Sequence, residues 1–441
     1  MSDAPGTANE GKQLLGFWTG TSLVVGNMIG SGIFLLPSAL AAYGGISIIG
    51  WIFTTAGSLL LSLVFMRLSR LHPKIGGPYV FARVAFGDFT GFIVAYGYWI
   101  SILCGNAAIA IASVSYLSMI FPVITTSSHL DTVAALAVLW ILTAINLLGI
   151  RVSGRVQLVT TVLKMLPLIV IALLGFLYFD PGHFVPFNAS GRGTFDAVTA
   201  TAALTLWAFL GLESATIPAD NIRDPGRTIP RATIIGTSVV ALVYILSTVS
   251  VMGILSPDVL AHSNAPFADA AEKLFGSAAG YIIAGAGVAA CVGALNGWIL
   301  LQGQMPLAAA LDHLFPKIFR ARSDNGTPVR GIVVSSTLVS VLLLMNYTEG
   351  FVEKFTFIIL LATLATLVPY LVSALAQIKF LIRAQKGGQV AGPMLVAALA
   401  LAYSAWAVIG LGGYTIFWGV VCIATGIPIF IRMRTRKRTE V

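Results

Sequence analysis

Charge is what this sequence has little of. Only 10% of its 441 residues are Asp, Glu, Lys or Arg, against 57% apolar. A soluble chain of this length needs far more charge to cover its surface, so a water-soluble enzyme or binding domain is excluded. Cysteine is scarce as well. Cys104, Cys291 and Cys422 all fall in apolar runs, at spacings that suit neither a disulfide framework nor a metal site. The five histidines, His72, His129, His183, His262 and His313, fall in loops or at helix ends. No histidine pair is placed to hold haem or metal within a membrane. Phosphate-binding loops, filter-like segments and rings of charge are also missing. These absences argue against an intramembrane enzyme, a redox carrier and a channel, and no cofactor is expected.

What the chain does have is apolar length. Runs near the ~20 residues that cross a bilayer recur from end to end. They read as spans at 15–43, 47–68, 90–121, 132–150, 156–179, 197–218, 232–255, 279–309, 331–347, 355–382, 390–411 and 413–431. The fold class is therefore an all-α polytopic membrane protein of about 12 transmembrane helices. Residues 1–14 are expected to be a cytoplasmic tail and not a cleavable signal, because the first run is too long and lacks a small-residue cleavage site. The net charge of +9 is not the mark of a nucleic-acid binder. With the N-terminus inside and the spans alternating, all 26 basic residues fall on the cytoplasmic side except Arg192, Lys273, Lys354 and the intramembrane Lys164. That segregation supports an even number of spans with both termini cytoplasmic. The basic segment 432–441 reads as a tail anchored to lipid headgroups.

Two spans are built to break. The first carries Gly26-Asn27-Met28-Ile29-Gly30-Ser31-Gly32-Ile33-Phe34 near its middle. Such glycines suit either an unwound segment lining a cavity or close packing of small residues. The sixth carries Trp207, Gly211 and Glu213 at membrane depth. An intramembrane acid is a functional candidate, or else a hydrogen-bonded brace between helices. The two anomalies are five spans apart. That is the spacing of two inverted five-helix repeats, 15–179 and 197–382, whose first helices are both interrupted at a binding site. Free N–H groups of a half-helix would take a carboxylate, and freed carbonyls an ammonium group.

At these residues the chain resembles the amino acid–polyamine–organocation (APC) superfamily, and most of all its basic amino acid/polyamine antiporters, which include arginine/agmatine, cadaverine/lysine and putrescine/ornithine exchangers. The motifs are Gly30-Ser31-Gly32-Ile33-Phe34 and Leu206-Trp207-Ala208-Phe209-Leu210-Gly211-Leu212-Glu213-Ser214. Others follow in order: Gly105-Asn106, the loop 221–230, Gly297-Trp298, Leu314-Phe315-Pro316 with Gly326-Thr327-Pro328, and Leu367-Val368-Pro369-Tyr370. The resemblance implies a five-plus-five inverted repeat with discontinuous helices 1 and 6, two C-terminal helices at 390–431, alternating access, homodimers and a bacterial inner-membrane location.

By motif position, the resemblance puts the substrate carboxylate near Ser31 and Gly32, and its amino group at carbonyls around Met28, Trp207 and Leu210. Trp207, Glu213 and Tyr370 match a gate on the side away from the cytoplasm. Trp298 matches the central aromatic that closes the cytoplasmic side and packs on the substrate. Tyr98 and Asn106 match other positions near the site. A cation over the Trp298 face gains up to ~2 kcal/mol when desolvated.

The chain also departs from the arginine exchangers. Their guanidinium-holding cysteine and serine become Ile102 and Ala362, which argues against arginine and for a smaller or more apolar side chain. Their small residue in span five becomes Lys164, which is similar to proton-coupled and large neutral amino acid branches. A charge inside a span demands partners. Lys164 is expected to bridge spans one, five and eight and to titrate or order the cycle, or else to snorkel to the cytoplasmic surface. The leading expectation is an antiporter of cationic amino acids or polyamines. The alternative is a proton-coupled amino acid symporter of broader or neutral specificity.

Overall fold

The computed structural model describes residues 16–439 apart from 73, 75, 218–221, 346–350 and 385–389. The expected tail at 1–14 and Asn221 of the loop motif lie outside the described residues. No strand occurs among the described residues. The helices are α1 (Phe17–Met28), α2 (Ser31–Ala41), α3 (Ser47–Leu71), α4 (Pro78–Phe86), α5 (Asp88–Ile120), α6 (Ser128–Leu147), α7 (Ile150–Leu174), α8 (Thr194–Phe209), α9 (Pro225–Ile254), α10 (Pro257–Ala261), α11 (Pro266–Phe275), α12 (Ser277–Leu311), α13 (Val329–Met345), α14 (Phe351–Ala384), α15 (Ala391–Gly410), α16 (Gly413–Ala424) and α17 (Gly426–Thr439).

Eleven helical segments among the described residues are long and apolar enough to cross a membrane. The shorter apolar helix Val329–Met345 occupies the expected ninth span. The first span is two helices, α1 and α2, and the sixth stops as a helix at Phe209. The twelfth is α16 and α17, so the basic tail expected from 432 onwards is helical through Thr439. Three amphipathic or short helices, α4, α10 and α11, were not expected.

The passes sort into two packed groups. α1, α3, α8 and α9 pack on one another, and α5, α6, α12 and α13 do the same. α7 and α14 each touch both groups. In the second group a buried polar ladder replaces the hydrophobic effect, which is absent between helices in lipid. Asn106 donates to Gln302 at 2.6 Å, Gln302 to Ser336 at 2.8 Å, and Thr143 pairs with Ser336 at 2.7 Å. Trp99 donates to Ser335 at 2.9 Å. In the first group Thr54 meets Thr205 at 2.8 Å, and Ser62 donates to Thr237 at 3.1 Å.

The two halves carry a matching junction. α4 turns into α5 through Phe86-Gly87, and α11 turns into α12 through Phe275-Gly276. Gly87 has φ 92° and ψ −179°, and Gly276 has φ 86° and ψ 174°. Only glycine adopts that region without strain. Four residues on, Gly91 lies against Arg83 and Gly280 against Glu272, so each short helix folds back on the long one that follows. The junctions follow the second pass of each expected repeat, the equivalent place in an inverted repeat. Gly87→Ala and Gly276→Ala are each expected to lower stability by about 1–3 kcal/mol. Unfolding of the purified protein in detergent measures this. Unchanged midpoints for both variants would mean that neither junction is held in this conformation.

Candidate functional site

The site begins where α1 fails to continue. Ile29 (φ −76°, ψ 95°) and Gly30 (φ −146°, ψ −139°) leave the helical region, and α2 restarts at Ser31 with no side-chain cap on its first N–H groups. Across from it α8 ends at Phe209. Leu210 is extended, Gly211 takes φ 105°, and a tight turn leads into a 3₁₀ segment at Ser214–Thr216. Asn27, Met28, Gly30, Ser31, Gly32, Ile109, Trp207, Leu210 and Trp298 line a cavity of about 20 Å³ between the two breaks. That is room for about one water. The Ser31 hydroxyl is buried beside it with no hydrogen-bond partner.

Two indoles close the cavity. Trp207 lies between Gly32 and Gly105: a Cβ on Gly32 would come within 3.1 Å of the ring, and one on Gly105 within 3.3 Å. Trp298 lies against Gly211, where an added Cβ would meet its ring at 3.2 Å, and its Nε1 donates to the Asn27 carbonyl at 3.1 Å. The close approach of both rings thus depends on glycines at the breaks.

The end of α1 is held by side chains from three other helices. Lys164 of α7 donates its Nζ to the Gly26 carbonyl. Trp298 of α12 takes Asn27, and Tyr244 of α9 donates to the Met28 carbonyl at 2.5 Å. The same Tyr244 hydroxyl lies 3.2 Å from the Ala208 carbonyl of α8. Asn27 Nδ2 donates to Ser214 Oγ at 3.1 Å, which ties the two breaks together. A cation on the last carbonyls of a helix is favoured by its dipole as well as by the hydrogen bond. Lys164 is fully buried and does not snorkel. Its bond joins spans one and five.

Beyond the turn, Glu213 accepts from Tyr98 and from Tyr370, each at 2.5 Å, and all three side chains are fully buried. The Phe65 ring stands edge-on to Tyr370 with centroids 5.4 Å apart. The gate expected from Trp207, Glu213 and Tyr370 together is divided here. Trp207 precedes the break and walls the cavity. Glu213 follows it and meets Tyr98, which lies only ten residues into α5. The Glu213 cluster therefore sits toward the face where α1 and α5 begin, which is the basic face of the charge pattern and not the one away from it. The cause is simple: α8 descends toward that face, and Glu213 lies past its end.

The remaining expected site residues do not line the closed cavity. Asn106 is engaged with Gln302. Ile102 is buried within α5, and Ala362 on α14 accepts from Ser101 at 2.9 Å. The Met28 and Trp207 carbonyls expected to meet an amino group are already bonded, to Tyr244 and to the Leu210 N–H. Tyr244 was missed altogether. Its signal was a tyrosine in the middle of an apolar span, whose hydroxyl must find a partner when buried. Tyr244→Phe and Lys164→Met each orphan a buried carbonyl at the α1 break. Each is expected to cost about 1–3 kcal/mol, read as a lower unfolding midpoint in detergent.

Residues 15–431 match the amino acid permease family. The chain is 35% identical over 375 residues to the cadaverine/lysine antiporter of Escherichia coli K12, covering 83% of each chain. It is 32% identical over 413 residues to the putrescine transporter PotE of Haemophilus influenzae, covering 93% of this chain and 94% of that one. It is also 35% identical over 357 residues to the putrescine transporter PotE of E. coli K12, covering 81% of each. Matches of that length and identity, on an all-helical protein interrupted in its first and sixth spans, make this chain a member of the amino acid permease family within the APC superfamily.

Proposed function

We propose that this protein is a secondary active antiporter that exchanges cationic amino acids and polyamines by alternating access. The observation that carries the reading is the cavity between the two broken helices. It is bounded by the uncapped N-terminus of α2, the unpartnered Ser31 hydroxyl and two indole faces. A helix N-terminus attracts a carboxylate. Indole faces attract an ammonium group stripped of water. The relatives named for cadaverine/lysine and putrescine carry the same chemistry of amines and favour exchange over proton symport.

In this reading Trp207 and Trp298 leave the cavity to admit substrate, since about 20 Å³ holds no amino acid. The ladder-bonded group of α5, α6, α12 and α13 stays fixed while α1, α3, α8 and α9 rock against it. Glu213 with Tyr98 and Tyr370 gates the basic face, which is cytoplasmic, and both termini lie on that side. A second latch stands on the same face: Arg83 bridges Asp88 at 2.8 Å and Asp312 at 3.0 Å, and Tyr79 donates to Asp312 at 3.1 Å. Lys164 orders the cycle as the cation that holds the end of α1.

Counterflow into proteoliposomes tests this. Vesicles preloaded with lysine, ornithine, cadaverine or putrescine are expected to accumulate labelled lysine, and empty vesicles are not, even with an imposed proton gradient. Filling of empty vesicles by that gradient would support the symporter instead, and failure of every cationic compound to compete would end the polyamine reading. Trp298→Leu is expected to raise the KM for a cationic substrate by about tenfold or more, given up to ~2 kcal/mol of cation–π energy. The KM should recover in part with Trp298→Phe.

A further inference from the structure

The last pass ends in a groove that transport does not explain. α17 crosses the first turns of α5, and there Phe89, Ile427, Phe430, Ile431, Arg434 and Thr435 border an open groove of about 450 Å³. The wall is aromatic, with the Phe430 ring 5.4 Å from Phe89 and 5.0 Å from Phe92. Phe89 is 49% exposed and Ile431 56%. Arg434 stands about two helical turns beyond Ile427 along α17. None of the ion pairs among the described residues engages it, and Asp88, the acid in the first turn of α5, is already held by Arg83. The groove is therefore apolar along its length, with an unneutralised cation where α17 leaves the apolar zone.

Those two features in that order match one ligand chemistry: an acyl chain followed by a phosphate. A second copy fits less well. A two-fold contact brings the same surface of each chain together. Here it would press together two α17 helices whose residues from 426 to 439 include Arg432, Arg434, Arg436, Lys437 and Arg438 and no acid. We propose that this groove is a binding site for an anionic phospholipid, its acyl chain along Phe89, Ile427, Phe430 and Ile431 and its phosphate on Arg434. Arg432 is equally basic but points about 200° away around the helix, so the site is distinct from a diffuse attraction of the basic segment for the membrane surface.

Native mass spectrometry of the purified full-length protein tests this, with phosphatidylglycerol and phosphatidylcholine of matched chains added together. The wild type is expected to retain phosphatidylglycerol in preference. R434Q should cut that preference about fivefold, the worth of one basic side chain at an anionic surface, while R432Q leaves it intact. Ile427→Trp fills the groove and should reduce retention of both lipids. Equal losses in R432Q and R434Q would overturn the proposal in favour of a diffuse basic surface. It would also fall if phosphatidylglycerol had no advantage, or if Ile427→Trp changed a dimer to a monomer and not the lipid count. Arg434 is exposed, so R434Q keeps the fold and decides the matter even if the tryptophan variant does not.

Discussion

A helix that stops inside a bilayer leaves carbonyls with no water to take them, and every other feature of this site follows from how that debt is met. At the end of α1 the donors are an ammonium, an indole and a phenol, drawn from α7, α12 and α9. Each is buried, and each comes from a different helix. The break is thus a point at which three other passes are hydrogen-bonded to the first. Asn27, through Ser214, adds the turn after α8 to the same junction.

The site sets a hydrogen-bonded ladder beside a small cavity. The ladder through Asn106, Gln302, Ser336 and Thr143 crosses α5, α12, α13 and α6, with the Asn106 Oδ1 left without a hydrogen-bond partner. The cavity, by contrast, is walled by two rings that rest on glycines, and Trp298 is held there by one hydrogen bond to the Asn27 carbonyl.

The passes were legible in the sequence because length and apolarity are one-dimensional properties, and the alternation of basic loops supported an even number of them. The ninth helix, at 17 residues, was legible from its apolar run at 331–347 like the others. The breaks were legible for a related reason: Gly30, Gly32, Gly211 and Glu213 are costly in a lipid-facing helix and stand out against it. Direction across a break was not legible. Trp207 and Glu213 are six residues apart in one motif, but the turn at Leu210 and Gly211 sends them to different clusters. Asn106 could face the cavity or Gln302, and only packing decides. Tyr244 sits in a run without any motif, and its importance arises wholly from what lies opposite it. Lys164 was found by its charge, but its partner, a main-chain oxygen, has no signature in any sequence.

Tyr244 has a consequence of its own. A phenol carries one proton, and this one has two carbonyls within reach, Met28 of the first break at 2.5 Å and Ala208 beside the second at 3.2 Å. It cannot satisfy both fully at once. One hydroxyl therefore acts as a shared staple, pinning the ends of the two broken spans to the same point of α9.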